Sequence, residues 1–222
     1  MSDPNDAILR QRIVDFLRSN SCQRIDFTWG PYHIDGWCYL RVAMAVQSPL
    51  HDFHVLVGEQ NILQGASAAY SSRTNTLKVP RVTYATPSDV NVSHSLLGLA
   101  PSVVLGFQRM SIVHECTHAA IDQLNHQHPT IFRRSNEVIA YVAAALFNIY
   151  EGSPYDASLL PSAHPARPSF VAADAAARAI ANRPGASIGG STAALEQALS
   201  ATQLYHRAFL DDPLVANSGL RF

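Results

Sequence analysis

The sequence predicts an α+β fold in which a small sheet packs against longer helices. Apolar residues recur with helical spacing over residues 6–18, over residues 102–125 and over residues 136–150. Strand-like stretches are shorter. Residues 53–57, "FHVLV", end before a glycine, and residues 74–80, "TNTLKVP", alternate apolar and polar side chains. We therefore expect a small mixed or antiparallel sheet beside these helices.

The length and composition suit one globular domain with an appended segment. The chain has 222 residues, of which 47% are hydrophobic and 15% are charged, so it can bury a substantial core. From residue 155 onward, prolines punctuate alanine-rich helical patterns. We therefore expect a first domain over residues 1–154 and a helical C-terminal segment over residues 155–222 that packs on it.

Charge and hydropathy disfavour two classes of partner. The formal net charge is −1, which offers little attraction to a polyanion, so we expect no nucleic-acid binding. No apolar stretch of about 18 residues is present, so we expect no membrane partner. The first residues lack the basic and apolar regions of a signal peptide. This predicts a cytoplasmic protein as synthesised and leaves signal-independent secretion open.

Three cysteines, Cys22, Cys38 and Cys116, do not indicate a disulfide framework, because their number is low and odd. Cys116 lies within the helical pattern of residues 102–125, where it fits a small buried position. Cys22 and Cys38 could pair, but a reducing compartment favours free thiols. We expect all three cysteines to be reduced.

The stretch "HECTH" at residues 114–118 predicts a metal site on a helix. His114 and His118 are four positions apart, which places both imidazoles on one helical face about 6 Å apart. Imidazole nitrogen suits zinc, and a catalytic zinc takes three protein ligands and keeps one position open for water. Glu115 follows the first histidine and can accept a proton from that water. The alternative is a chance pair of histidines beside an unrelated glutamate.

Glu137 is the predicted third ligand. It follows His118 after a loop and begins the next helix, where an antiparallel helix pair would bring its carboxylate to the histidines. That helix is apolar nearly all round, and metal coordination would offset the free-energy cost of a buried carboxylate. The alternative for Glu137 is an acidic residue of the first helical turn, favoured by the helix dipole. His126 and His128, in the loop, have a spacing that fits no zinc-peptidase pattern.

The pattern "HECTHAAID" followed by "NEVIA" resembles that of the gluzincin zinc metallopeptidases, of which thermolysin is a member. The resemblance covers only residues 111–150. It implies a zincin-like catalytic domain with an active-site helix and a buried glutamate helix. It also implies that His114, His118 and Glu137 bind Zn²⁺ and that Glu115 is the general base.

Two further positions bear on this resemblance. Asp122, four residues after His118, stands where thermolysin-like enzymes also have an aspartate, and its helical face predicts a role behind the ligands. The alternative is an exposed acid in the last turn. Four residues after Glu137, thermolysin-like enzymes carry an aspartate that orients a histidine, but this chain has Tyr141. Three roles are open for Tyr141: its hydroxyl takes the place of the aspartate, the residue has another role in the cleft, or it packs as a core aromatic residue.

A peptide-binding strand is predicted upstream of the motif helix. Zincins hold substrate on an antiparallel edge strand, and residues 74–80 have the corresponding place in this chain. Pro80 cannot donate to a strand ladder, so we expect this strand at a sheet edge, with Leu77 and Val79 in the substrate-binding region. An ordinary edge strand is the alternative.

Three functions stay open on the sequence alone. The first is a zinc-dependent metallopeptidase that acts on a protein or peptide, such as a bacterial effector or a regulatory protease, and that a protein partner or inhibitor could bind. The second is a hydrolase of a peptidoglycan-type amide. The third is a zinc-stabilised binding module without turnover. The presence of Glu115 disfavours the third, because a pure binder needs no base there.

Overall fold

The described part of the chain is a mixed α+β fold. The computed structural model describes residues 4–48, 53–58, 68–80, 101–124, 131–152 and 164–202, and residues 157, 160 and 162. This part contains seven helices and two three-stranded sheets, which confirms the predicted fold class. No helix in these ranges is long and apolar enough to cross a membrane.

Helices and strands follow one another along these ranges. The helices are α1 (Pro4–Leu17), α2 (Asn20–Gln23), α3 (Gly36–Gln47), α4 (Pro101–Leu124), α5 (Arg133–Glu151), α6 (Arg167–Ile180) and α7 (Ala193–Ala201). The strands are β1 (Asp26–Trp29), β2 (Tyr32–Asp35), β3 (His54–Gly58), β4 (Ala69–Ser71), β5 (Thr76–Pro80) and β6 (Ala186–Ser187). Helices α4 and α5 match the two long helical patterns of the sequence.

The hairpin β1–β2 and helix α3 were not among the predicted elements. Gly30, with a φ of 52°, begins the two-residue turn between the strands. Asp35 ends β2 and caps α3, since its carboxylate accepts the Cys38 N–H at 3.1 Å. A Cβ on Gly36 would lie 2.6 Å from the carbonyl oxygen of Gln23, so the close approach of α2 to α3 requires glycine.

The first sheet joins the N-terminal region to the C-terminal segment. Its order is β2-β1-β6, with β1 antiparallel to β2 and parallel to β6. The N–H of Gly185 donates to the carbonyl of Asp26 at 3.0 Å, and that of Ile188 donates to Thr28 at 3.0 Å. The C-terminal segment therefore contributes a strand to a sheet whose other strands belong to the N-terminal region. The predicted boundary at residue 154 stays a prediction.

The second sheet corrects one prediction. Its order is β3-β5-β4, so β5 is the central strand of the described sheet and not an edge strand. The side chains of Leu77 and Val79 are fully buried in the core, and Leu77 has register partners on both neighbouring strands. Pro80 is the last residue of β5, where its missing N–H affects only the end of the ladder. The edge strands of the described sheet are β3 and β4.

Helix α5 lies in the centre of the core, as its apolar sequence predicted. Every side chain from Val138 to Phe147 is buried. Helices α4 and α6 pack on it, and one continuous cluster of buried residues extends from Leu9 in α1 to Leu199 in α7. Gly152, with a φ of 60°, ends the helix in the left-handed conformation. The candidate ligands therefore lie on two helices, α4 and α5, that contribute many buried side chains to this core.

Candidate metal centre

Helices α4 and α5 run antiparallel, which brings the predicted ligands together. In the first half of α4, Nη1 of Arg109 donates at 2.8 Å to Oε2 of Glu151, the last residue of α5. In the second half of α4, Nδ1 of His118 lies 3.0 Å from Oδ1 of Asn136, in the first turn of α5. Glu137, next to Asn136, consequently faces the histidines. The expected antiparallel pair is confirmed.

The three predicted ligands have the spacing of a tetrahedral metal site. Nε2 of His114 lies 3.3 Å from Oε2 of Glu137, and Nε2 of His118 lies 3.6 Å from Oε1 of Glu137. The two Nε2 atoms are 3.1 Å apart. Ligand atoms about 2.0–2.1 Å from a zinc ion in tetrahedral geometry lie about 3.3 Å from one another. The side chains are only 11–13% exposed, so the cluster is shielded from water yet accessible.

A second carboxylate, that of Glu115, lies beside the same imidazoles. Ligand atoms of His114, Glu115 and His118 are all within 4.8 Å of one another, so this group could hold a metal ion. The carboxylate of Glu137 comes closer, within 3.6 Å of both nitrogens. Glu115 is tied elsewhere, because its Oε2 accepts the backbone N–H of Tyr70 at 2.7 Å. The distances therefore favour Glu137 as the ligand and leave Glu115 next to it.

Asn136 fixes the tautomer of His118. Oδ1 of an amide only accepts hydrogen bonds, so Nδ1 of His118 carries the proton and Nε2 presents a lone pair to the cluster. This is the state in which an imidazole binds a metal. We had not predicted Asn136. The available signal was its position directly before Glu137, in "NEVIA".

The cluster brings electron-rich atoms together. The lone pair of His118 Nε2 and both oxygens of Glu137 converge on the region that Nε2 of His114 also faces. Lone pairs and carboxylate oxygens repel one another in a partly buried site, and either an N–H at Nε2 of His114 or a metal ion among the side chains would offset that repulsion. The donor chemistry, two imidazoles and a carboxylate, is that of zinc and similar transition metals.

Burial raises the pKa of Glu115 to about 7. The interaction with His118 lowers this pKa, the charge of Glu137 raises it, and the N–H of Tyr70 lowers it again. Glu115 therefore differs from an ordinary surface glutamate, whose carboxylate does not bind protons at neutral pH.

Asp122 is held behind the site by Tyr70. Its side chain is buried, and Oδ2 accepts the Tyr70 hydroxyl at 3.0 Å. The alternative of an exposed acid is therefore wrong. Burial raises the pKa of Tyr70 above its usual range, and the charge of Asp122 adds to the rise, so the hydroxyl stays protonated and donates. Tyr70 thereby links β4 to α4.

Tyr141 packs its ring against a candidate ligand. Its centroid lies 4.7 Å from that of His114, with the ring planes at 83°, and the side chain is 5% exposed. Tyr141, at the position where thermolysin-like enzymes have an aspartate, therefore makes an edge-to-face contact with His114. His126 and His128 lie outside the described residues.

No protein-family model, curated protein or solved structure matches this chain. The functional argument therefore depends on the geometry of the site itself. The fold and the cluster define a class: an α+β protein with a His–Glu–His group, on a buried helix pair, that could hold a metal ion.

Proposed function

We propose that this protein is a zinc-dependent metallopeptidase of the gluzincin type. The observation that carries the proposal is the convergence of His114, His118 and Glu137 at tetrahedral ligand spacing, with Glu115 beside them. Strand β4 lies against the same helix, which agrees with the edge strand that the gluzincin resemblance implies. The carboxylate of Glu137, which belongs to the other helix, lies within 3.6 Å of both Nε2 atoms, and a metal ion shared by the three side chains would account for this arrangement.

The donor set fits Zn²⁺. Two imidazoles and one carboxylate occur as ligands in catalytic zinc sites, whose fourth position stays open. His114, His118 and Glu137 would hold the ion. When bound there, Zn²⁺ supplies a Lewis acid for the scissile carbonyl and lowers the pKa of water.

Glu115 moves the proton in this proposal. Its Oε2 is held by the N–H of Tyr70, which leaves Oε1 for the attacking water. Glu115 accepts a proton as the water oxygen bonds to the carbonyl carbon, and donates it to the amide nitrogen as the C–N bond breaks.

Strand β4 would align the substrate. In an antiparallel ladder, the N–H and C=O of one residue point both toward or both away from the paired strand. The N–H of Tyr70 reaches Glu115, so the C=O of Tyr70 also points away from β5. An extended peptide could donate to this carbonyl and would then lie beside Glu115. This role replaces the one predicted for Leu77 and Val79.

Metal analysis tests the site. Wild-type protein supplied with Zn²⁺ should hold about one zinc per chain. Glu137→Ala, His114→Ala and His118→Ala should lose zinc and melt at a lower temperature, because metal stabilises only the folded state. Glu115→Gln should keep zinc and melt like the wild type. Glu196→Gln, on α7, is the matched control: it keeps an acceptor for the hydroxyl of Thr192 and should keep zinc. Wild-type protein without any transition metal would contradict the proposal.

Peptide cleavage tests the activity. A proteome-derived peptide library, analysed by mass spectrometry, should yield cleavage products with the wild type, and Glu115→Gln should form them at least about 100-fold more slowly. Cleavage of cross-linked muropeptides without cleavage of the library would identify the amide hydrolase. Stoichiometric zinc without hydrolysis of either substrate would identify the binding module.

A further inference from the structure

Four rings from three helices form a continuous edge-to-face series that ends on a candidate ligand. The ring of His114 contacts Tyr141 at a centroid distance of 4.7 Å and 83°. Tyr141 contacts Phe170 at 5.3 Å and 63°, and Phe170 contacts Phe107 at 5.4 Å and 64°. We call these rings the aromatic series. It connects α6, in the C-terminal segment, to the candidate metal centre.

The two histidines are oriented by different means. His118 is held by the hydrogen bond from its Nδ1 to Asn136. The hydrogen bond and ion pair of His114 with other described residues involve its Nε2. The ring of His114 contacts two other rings, those of His118 and Tyr141, each with its centroid 4.7 Å away and its plane nearly perpendicular. Packing on Tyr141 therefore restricts rotation of the His114 imidazole about its side-chain bonds.

Phe170 in turn supports Tyr141. Helices α5 and α6 run side by side in the same direction. Tyr141, midway along α5, meets Phe170 near the start of α6, and the hydroxyl of Tyr150, near the end of α5, donates to the carbonyl of Ala181 at the end of α6 at 2.9 Å. The face of α6 next to the core consists mainly of alanines, which allows close packing. Phe170, in the first turns of α6, is the large side chain that reaches Tyr141.

We infer that Phe170 is a positioning residue for the metal centre: through Tyr141 it holds the imidazole of His114 so that Nε2 faces His118 and Glu137. This inference rests on the proposed function in that His114 is taken as a zinc ligand. It gives the C-terminal segment a role, because Phe170 of α6 then supports the candidate ligand His114 through Tyr141. Residues that hold a ligand in place commonly change metal affinity about 10- to 100-fold when replaced.

The test compares metal affinity with stability in matched variants. Phe170→Leu and Tyr141→Leu remove a ring from the aromatic series, whereas Tyr141→Phe keeps the ring. Ile180→Val is the control, because Ile180 is a core residue of α6 outside the series. Zn²⁺ affinity is measured by competition with a chromophoric chelator, and the free energy of unfolding of each apoprotein is measured in urea.

The expected result separates positioning from general packing. Phe170→Leu and Tyr141→Leu should weaken Zn²⁺ binding at least about 10-fold. Tyr141→Phe and Ile180→Val should stay within about 2-fold of the wild type, even where Ile180→Val lowers the apoprotein stability by about 1 kcal/mol. Wild-type affinity in Phe170→Leu would overturn the inference. An equal loss of affinity in Ile180→Val would overturn it too, because affinity would then follow stability alone.

A second readout keeps the inference testable if the wild type binds no zinc. The ring-proton resonances of His114 in the apoprotein can be assigned by their loss in His114→Ala. Phe170→Leu should shift or broaden them, because the ring of Tyr141 is no longer fixed beside them, and Ile180→Val should not. Unchanged His114 resonances in Phe170→Leu would overturn the inference. Absence of zinc with changed resonances would contradict only the proposed function.

Discussion

The backbone N–H of Tyr70 donates to Oε2 of Glu115 across 2.7 Å, and the hydroxyl of the same tyrosine donates to Oδ2 of Asp122 across 3.0 Å. The two carboxylates are seven residues apart on α4, so they lie on one helical face. One residue of the edge strand β4 therefore attaches to two turns of the motif helix. In our proposal, this attachment sets the distance between the bound peptide and its general base.

Replacing Tyr70 by phenylalanine separates the two attachments, because it keeps the backbone N–H and removes the hydroxyl. A hydrogen bond to a charged group contributes about 1.5–3 kcal/mol, so the free energy of unfolding should fall by roughly that amount. Zinc content should not change, since the hydroxyl contacts no candidate ligand. Urea unfolding and metal analysis check both points.

Asp122→Asn tests the partner of that hydroxyl. Because the Tyr70 hydroxyl and Asp122 form one hydrogen bond, the double variant Tyr70→Phe/Asp122→Asn should lose less free energy of unfolding than the sum of the losses in the two single variants. Strict additivity of the single losses would contradict the contact.

Asn136 should control metal affinity without contacting the metal. Asn136→Leu removes the acceptor that keeps the proton on Nδ1 of His118, so Zn²⁺ affinity should fall about 10- to 100-fold. Asn136→Asp keeps an acceptor at the same place and should retain zinc. Competition with a chelator measures both variants. Equal affinity in Asn136→Leu and the wild type would show that the hydrogen bond does not orient His118.

Tyr39 should stabilise the motif helix through Thr117, which is not a candidate ligand. The hydroxyl of Thr117 donates to the carbonyl of Val113 at 2.7 Å, so the fully buried Tyr39 hydroxyl donates to Oγ1 of Thr117, 2.8 Å away. Tyr39→Phe removes this bond between α3 and α4 and should cost about 1 kcal/mol in urea unfolding. Zinc content should be that of the wild type. Loss of zinc instead of stability would contradict a purely structural role.

The spacing of apolar residues predicted the long helices, because side chains that face the core of the protein must be apolar. Helix α5 is buried along most of its length, and its sequence is correspondingly apolar nearly all round. The spacing of His114 and His118 likewise follows from helix geometry alone. The antiparallel pairing that brings Glu137 to them was predictable because two long helices joined by a short loop pack that way.

Contacts between distant segments were not predictable from local pattern. Pro80 suggested an edge strand, but β5 is central because β3 pairs with it in parallel and β4 on the other side. The pairing of β6 with β1 joins residues far apart in the sequence, and two residues carry no period. Tyr70 and Phe170 reach the site from separate elements, and nothing next to them in the sequence marks that role.

The cysteines of the core should make the fold sensitive to alkaline pH. All three are free, as expected, and buried. Burial raises the pKa of Cys22 to about 12. The hydrogen bond with Ser19 lowers this pKa, and the charge of Glu151 raises it. Burial likewise raises the pKa of Cys38 to about 12. The native state therefore keeps these thiols protonated at pH values where the unfolded chain ionises them.

The direction of the pH dependence follows from this difference. Below about pH 9, the thiol of Cys22 is protonated in both states and its contribution to stability is complete. Between about pH 9 and pH 12 the unfolded state loses the proton and the folded state does not, so stability falls by up to about 1.4 kcal/mol per pH unit for each thiol. Cys22→Ala lacks this thiol. The wild type and the variant should therefore differ by a constant amount in urea unfolding up to about pH 9, and above it the wild type should lose stability faster. Parallel curves up to pH 11 would show that Cys22 ionises as easily in the folded protein as in the unfolded chain.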